Sequence, residues 1–266
     1  MTSLKVWVQG IGLLGPGLVS WPGAHDVLCG LQAYANAPTV LPSPLRLPPA
    51  ERRRAGSAVK LALAIADEAV AQAQVDPSLL ATVFTSSSGE GVNCHALCET
   101  LATPAPMVSP TRFTNSVHNA AAGCWHIAVA SRAASTSLCA FDGSFGAGLI
   151  EAATSVRLSG RPMLLVASDS PYPEPLHATR PLPDHFGAAL LLAPEPNALT
   201  LAEMTIALDH TSDIATRSDD ASLEALRRAI PAAAALPLLS ALARPRAMQR
   251  IVLDYLPHLR IRIDLA

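Results

Sequence analysis

The residues with the clearest chemical potential lie in Ala134-Ser135-Thr136-Ser137-Leu138-Cys139-Ala140-Phe141-Asp142-Gly143-Ser144-Phe145-Gly146-Ala147-Gly148. A small-residue strand over Ser135 to Phe141 leads into a tight glycine-rich turn, and a helix follows over Leu149 to Leu158. A strand-turn-helix elbow is where many acyl-transfer enzymes hold a nucleophile, because the sharp turn exposes one side chain beside free helix N–H groups. The elbow position here carries Asp142, a poor acyl acceptor. A carboxylate at a helix start is also stabilised by unpaired N–H groups and the helix dipole, which is a complete structural reason for it. The functional alternative is that its charge occupies the place where an acyl thioester would form.

Other candidates surround the elbow. Gly143-Ser144-Phe145-Gly146 departs from the G-x-S-x-G nucleophile motif because position 142 is Asp. Ser144 therefore reads first as a helix N-cap or first-turn serine, and second as a hydrolase nucleophile. Cys139 lies three residues before Asp142. His118 precedes an alanine-rich helix and His126 lies within it. Either histidine could serve as a general base, or be a hydrogen-bonded structural residue. Cys94-His95-Ala96-Leu97-Cys98 offers three metal-ligand types but no nearby fourth ligand, so idle thiols are the plainer reading. Gly10-Ile11-Gly12-Leu13-Leu14-Gly15 matches a dinucleotide fingerprint in letters only. Pro16 and Gly17 follow it, no helix opens there, and no acidic residue ends a second strand, so it reads as a structural glycine turn.

The elements that must position these residues alternate between strand and helix. Strands are expected over Lys5 to Gln9, Ala81 to Thr85, Pro162 to Ala167, Phe186 to Ala193, Leu199 to Leu208, Arg250 to Asp254 and Leu259 to Leu265. Phe186 to Ala193 and Leu199 to Leu208 read as neighbours joined by a turn at Pro194 to Asn197. Helices are expected over Ala50 to Val75, Asn119 to Arg132 and Ala221 to Ile230, while Ala232 to Ala243 is too proline-interrupted to assign. The alternation predicts an α/β sheet layered by helices on both faces, in a single domain spanning residues 1–266. The small residues of Asn119 to Arg132 let another backbone approach closely, which suits a central or interfacial helix.

Composition bounds the rest. Of the 266 residues, 50% are hydrophobic and 15% charged, against a usual charged share of about 25%. That much apolar surface suits a shared subunit interface. A net charge of -2 gives no electrostatic reason to bind nucleic acid. Five cysteines, an odd number, argue against a secreted disulfide framework. The apolar stretch Val6 to Val19 is broken by Gln9, four glycines and Pro16. It lacks a cleavage site, so no signal peptide is expected. No apolar run approaches the roughly 20 residues of a membrane helix. A cytoplasmic location is the expectation.

Four stretches together resemble the N-terminal half of β-ketoacyl synthases, members of the thiolase-like superfamily. Val8-Gln9-Gly10-Ile11-Gly12 is similar to the family's opening strand and glycine turn. Phe113 to Gly123 is similar to the segment entering its central dimer helix. Ser137 to Gly148, with Glu151-Ala152-Ala153, is similar to the nucleophile strand, elbow and buried helix. Phe186 to Leu192 is similar to the strand after the phenylalanine-gated loop. The resemblance covers roughly residues 4 to 210. Ser116-Val117-His118-Asn119 with Ser144-Phe145 is most similar to short ketosynthase-like and chain-length-factor-like proteins of aryl polyene and type II polyketide pathways.

The resemblance implies a thiolase-like half-fold: a layered mixed sheet, no cofactor and no metal. Aligning Glu151-Ala152-Ala153 with the buried helix places Asp142 at the family's catalytic cysteine; a slipped register would put Cys139 there instead. Phe141, Asp142, Phe145 and Phe186 are then expected around the acyl pocket. The family's second half supplies two histidines and a lysine; after Phe186 this chain has only His210 and His258 and no lysine. The implied role is a non-catalytic subunit that pairs with an active ketosynthase, or with itself, and shapes the acyl pocket. An acyl carrier protein is a further expected partner. The alternatives are a small acyltransferase or thioesterase using Ser144 or Cys139 with His118, and a purely structural dimer.

Overall fold

The computed structural model describes residues 3–87, 89–210, 213–244 and 248–266; Ser88, in the sequence Ser86-Ser87-Ser88-Gly89-Glu90-Gly91, lies outside them. In chain order the elements are β1 (Ser3–Leu14), α1 (Trp21–Cys29), α2 (Pro49–Arg54), α3 (Ser57–Ala73), β2 (Ala81–Thr85), α4 (Gly91–Leu101), α5 (Pro110–Asn115), α6 (Ala120–Ala128), β3 (Ser135–Leu138), α7 (Ser144–Ser159), β4 (Met163–Asp169), α8 (Leu176–Thr179), β5 (Phe186–Ala193), β6 (Ala202–Asp209), α9 (Ala221–Ala229), α10 (Leu236–Ala243), β7 (Gln249–Leu256) and β8 (Leu259–Leu265).

The strands form one mixed sheet in the order β3-β2-β4-β5-β1-β6-β8-β7, open at both edges. β2 pairs in parallel with β3 and with β4; the remaining neighbours are antiparallel. Strand period 2 sends alternate residues to opposite faces. Leu164 and Val166 of β4 pack with α3 and α6, whereas Leu165 and Ala167 pack with α7. Both faces of this half are covered by helices, which explains the continuous apolar runs of β4 and β5. The β6-β8-β7 half buries Met204, Ile206, Ile261, Ile263 and Ile251 on one face. Its other face carries ion pairs such as Arg250–Asp264 and Lys5–Glu203, the one-sided pattern of a partly solvated antiparallel sheet.

Several expectations are corrected. The glycines after Gln9 do not turn the chain; β1 runs straight through them to Leu14. A Cβ on Gly10 would lie 2.1 Å from the Ala69 carbonyl oxygen, and one on Gly12 1.9 Å from that of Ile65. Glycine is required because α3 lies directly on the strand, not because a turn is made. A bulge between Val8 and Gly10 resets the facing, so Val8 and Ile11 point into the same core. A helix does follow this region: α1, whose N-cap Ser20 accepts from the Gly23 N–H.

β5 and β6 are not neighbours, because β1 lies between them and pairs with both. β6 covers β1 only as far as Val8. Beyond it the N–H groups of Ile11 and Leu13 donate to Gln72 Oε1 and Glu68 Oε2 on α3, each at 2.8 Å, and Glu68 Oε1 also accepts from Trp21 N–H. Side chains thereby replace a missing strand partner. The long helix over Ala50 to Val75 is two helices, α2 and α3, parted at Ala55-Gly56. The helix over Asn119 to Arg132 is shorter, ending at Ala128, and β3 stops at Leu138, so the elbow helix α7 begins at Ser144 rather than Leu149. The unassigned stretch Ala232 to Ala243 is a 3-10 turn followed by α10.

Candidate functional site

The three parallel strands end along one edge, and the loops after them converge: Ser86-Ser87 after β2, Cys139 to Gly143 after β3, and Ser170 onward after β4. The carboxyl ends of parallel strands are where α/β folds present ligand-binding loops. At their centre is Asp169, 1% exposed. Its Oδ1 accepts from the Ser87 N–H and Ser87 hydroxyl, each at 2.7 Å, and from the Ser86 hydroxyl at 3.2 Å. Its Oδ2 accepts from the Ala232 N–H at 2.8 Å. Burial pushes this carboxyl above the usual range, and the four donors oppose that shift. Asp169 therefore sews the β2 loop and the start of the 3-10 turn to β4.

The elbow follows β3. Phe141 has φ +52°, in the left-handed region that a bulky residue adopts only under constraint. The constraint comes from its neighbours. The Ser144 hydroxyl donates to the Phe141 carbonyl at 2.7 Å and accepts from the Ala140 N–H at 3.1 Å. The Thr85 hydroxyl donates to the Ser144 carbonyl at 2.8 Å. Ser144 is 1% exposed and its hydroxyl is engaged as both donor and acceptor, so it closes the turn as a first-turn serine.

Asp142, next after the left-handed residue, projects outward. Its carboxylate accepts from Arg180 in the β4–β5 connection, and the same guanidinium lies 3.6 Å from the Phe141 ring centroid. Phe141 is 61% exposed, whereas Phe145 and Phe186 are sealed in the core. Phe186 fills the space beside Gly15, where a Cβ would meet its ring at 2.5 Å. Of the four residues expected around the acyl pocket, Phe141 and Asp142 lie exposed at the elbow, while Phe145 and Phe186 are buried in the core behind it.

Cys139 and His118 both face the β2 loop. The Cys139 thiol donates to the Ser87 carbonyl at 3.3 Å, and His118 Nε2 lies 3.4 Å from the Ser86 carbonyl oxygen. His118 also borders a cavity of about 20 Å³ shared with Glu90, Ser86, Ser168 and Gly89. That volume suits about one water molecule, not an acyl chain. The Glu90 carboxyl faces the Ala58 and Val59 N–H groups at the start of α3, capping that helix. His126 lies elsewhere, with Nε2 3.2 Å from the Thr82 hydroxyl. Cys94 and Cys98 lie exposed on α4, and His95 pairs with Glu99. Among the described residues no group of three or more His, Cys, Asp or Glu side chains could hold a metal ion.

Beside the site lie helices that bury little. α4 and α5 bury no residue, and α6 buries only Ala120, Ala122 and Trp125. Met107, Phe113, Val117 and Ile127 are exposed there. Strand β3 is the sheet edge, its outer hydrogen-bonding groups unpaired by any strand among the described residues. A groove of about 390 Å³ runs between α2 and α5-α6, past Glu51, Arg54, Thr114, Asn119 and Cys124. No helix among the described residues is long and apolar enough to cross a membrane.

Sequence reasoning missed Asp169 and Arg180. An acid ending the apolar run Pro162 to Ala167 was a usable signal for the first. Arg180 sits in a proline-rich loop and carried no signal.

A sequence profile for the β-ketoacyl synthase N-terminal domain matches residues 30–246. No curated protein sequence matches the chain. Among solved structures it is similar to a chain of the ketosynthase ApeO in complex with its chain length factor ApeC from Xenorhabdus doucetiae. Identity is 22% and the TM-score 0.73, covering 98% of this chain and 99% of that one. It is also similar to a chain of the ishigamide ketosynthase/chain length factor, at 15% identity and TM-score 0.67, covering 98% and 99%. A third similar structure is AntDE:AntF, a type II polyketide acyl carrier protein in complex with its ketosynthase, at 11% identity and TM-score 0.73, covering 100% and 99%. These similarities establish a shared thiolase-like fold. With a profile match over most of its length and that fold, the chain belongs to the β-ketoacyl synthase N-terminal domain family.

Proposed function

We propose that this chain is a non-catalytic ketosynthase-like subunit of a fatty acid or polyketide pathway of the aryl polyene type. It pairs with an active β-ketoacyl-ACP synthase in the cytoplasm and contributes to the acyl pocket as a chain-length-factor-like partner. The observation that carries this reading is the elbow. Its left-handed residue is Phe141 and the next is Asp142, ion-paired to Arg180. Neither can accept an acyl group as a thioester, and Ser144 is buried and doubly hydrogen-bonded. The scaffold of an acyl-transfer site is kept while its nucleophile is absent.

The face of α4, α5, α6 and edge strand β3 supports pairing. Val117 and Ile127 are exposed beside one groove between α2 and α5-α6, and an open edge strand can accept a partner's strand. Two of the similar structures contain a ketosynthase with its chain length factor and a third contains an acyl carrier protein. An acyl carrier protein is accordingly a second proposed partner.

The test is co-expression with the ketosynthases of its own genome, followed by co-purification and a condensation assay. A stable complex is expected, with condensation only when the partner's cysteine is intact. Ile127→Glu, on the exposed side of α6, should break the complex without unfolding the chain. Turnover by this chain alone would refute the reading. So would an acyl adduct at Cys139 or Ser144 in intact mass after incubation with an acyl-thioester probe.

A further inference from the structure

The connection between β4 and β5, residues 170–185, crosses the carboxyl ends of the parallel strands. Its two ends are tied down. The Ser170 hydroxyl lies 2.9 Å from His185 Nδ1, and the Asp184 carboxylate accepts from the Thr39 N–H at 2.9 Å. Tyr172 is 8% exposed and its hydroxyl lies 3.2 Å from that of Ser87. Its middle, around α8, buries no residue, and Leu176 is 48% exposed.

Arg180 joins this loosely packed middle to the elbow. Its guanidinium lies over the Phe141 ring at 3.6 Å and over the Tyr172 ring at 5.7 Å, and it donates to Asp142. The Arg180 side chain is 21% exposed while that of Asp142 is 71% exposed. The two rings flank a cation that is itself mostly buried, and a partly buried cation–π contact outweighs an ion pair whose carboxylate is exposed. The same contact backs Phe141, an exposed aromatic held at a left-handed φ. An aromatic that is displayed and already rigid is an efficient anchor for a partner, because little conformational freedom is lost on binding.

We propose that Arg180 is a positioning residue. It clasps the β4–β5 strap to the elbow and so displays Phe141 as a preformed anchor for the partner subunit. The display half of this inference rests on the pairing reading above; the clasp itself does not.

Hydrogen–deuterium exchange on the isolated chain tests the clasp. In Arg180→Ala, peptides over 171–183 and 139–146 should exchange roughly tenfold faster than in the parent chain, from loss of a partly buried cation–π contact. Peptides over β5 should stay unchanged, as the control for global unfolding. Arg180→Lys keeps the charge but not the planar stack and should fall between the two. Asp142→Asn should exchange within about threefold of the parent, because an exposed ion pair contributes little. A change under about twofold in Arg180→Ala would overturn the clasp.

For the display half, Phe141→Ala and Arg180→Ala should each weaken the complex with the co-purified ketosynthase roughly tenfold, as interface anchors do. Faster strap exchange with unaltered affinity would overturn display while leaving pairing intact. If the parent chain forms no complex, pairing and display both fall, and the exchange result alone decides the clasp.

Discussion

Asp169 makes the sharpest prediction about what holds the candidate site together. Asp169→Ala removes the acceptor for two main-chain N–H groups, Ser87 and Ala232, and for the Ser86 and Ser87 hydroxyls. The hydroxyls can rotate toward other acceptors, but the N–H groups cannot. Each buried N–H left without a partner costs about 1–3 kcal/mol. The expected loss is therefore about 2–6 kcal/mol, a large share of a domain's stability. Asp169→Asn is isosteric and keeps one oxygen. With that oxygen at the three-donor position, its NH₂ faces the Ala232 N–H, donor against donor, for a loss of about 1–3 kcal/mol. Urea unfolding with linear extrapolation should rank the parent above Asn and Asn above Ala. The site supplies an independent readout: the Cys139 thiol donates to the Ser87 carbonyl, so loosening the β2 loop should speed Cys139 alkylation in both variants. If both variants unfold within about 0.5 kcal/mol of the parent, Asp169 does not organise these loops and the reasoning fails.

Gly12→Ala should destabilise by about 1–3 kcal/mol or more, because its Cβ would fall 1.9 Å from the Ile65 carbonyl oxygen and α3 must lift off the sheet; a parent-like melting temperature would refute the packing argument. Burial raises the Cys124 thiol to about 11 from its ordinary 9, so at pH 8 iodoacetamide should modify Cys124 roughly 100-fold more slowly than an ordinary exposed cysteine, read by peptide mass. Burial lowers the His185 imidazole below 6.5. The unfolded chain then binds the proton more readily, so His185 costs stability as pH falls from 6.5 toward its folded value, and none is lost above that window. His185→Gln should flatten that part of the stability–pH curve; an unchanged slope would count against the buried neutral imidazole. Gly123, on the exposed side of α6, has nothing within 4 Å of a built Cβ, so Gly123→Ala should keep or raise the thermal stability of the isolated chain, by up to about 1 kcal/mol.

Much of the architecture was legible from local chemistry. The apolar runs of β2, β4 and β5 marked buried strands, because both faces of those strands are covered. The small-residue strand, glycine turn and helix around Asp142 marked the elbow, and Ser144 was readable as a helix-start serine. Other features misled because one local signal has two structural causes. The glycines of Gly10 and Gly12 signal a turn or a close approach equally well, and only the position of α3 decides between them. Likewise, two strands joined by a short turn are expected to pair, yet β1 occupies the place between β5 and β6.

The sequence by itself determined the family, the layered α/β class and the presence of Asp142 in the glycine-rich turn, because those rest on residue types at short spacings. Only the tertiary structure decided what surrounds the elbow. Asp169 lies 82 residues from Ser87 and 63 from Ala232, and Arg180 lies 38 residues from Asp142. Contacts over such separations leave no periodicity in the chain. They arise where the sheet order brings the carboxyl ends of β2, β3 and β4 together, and burial there gives one carboxylate four donors to satisfy.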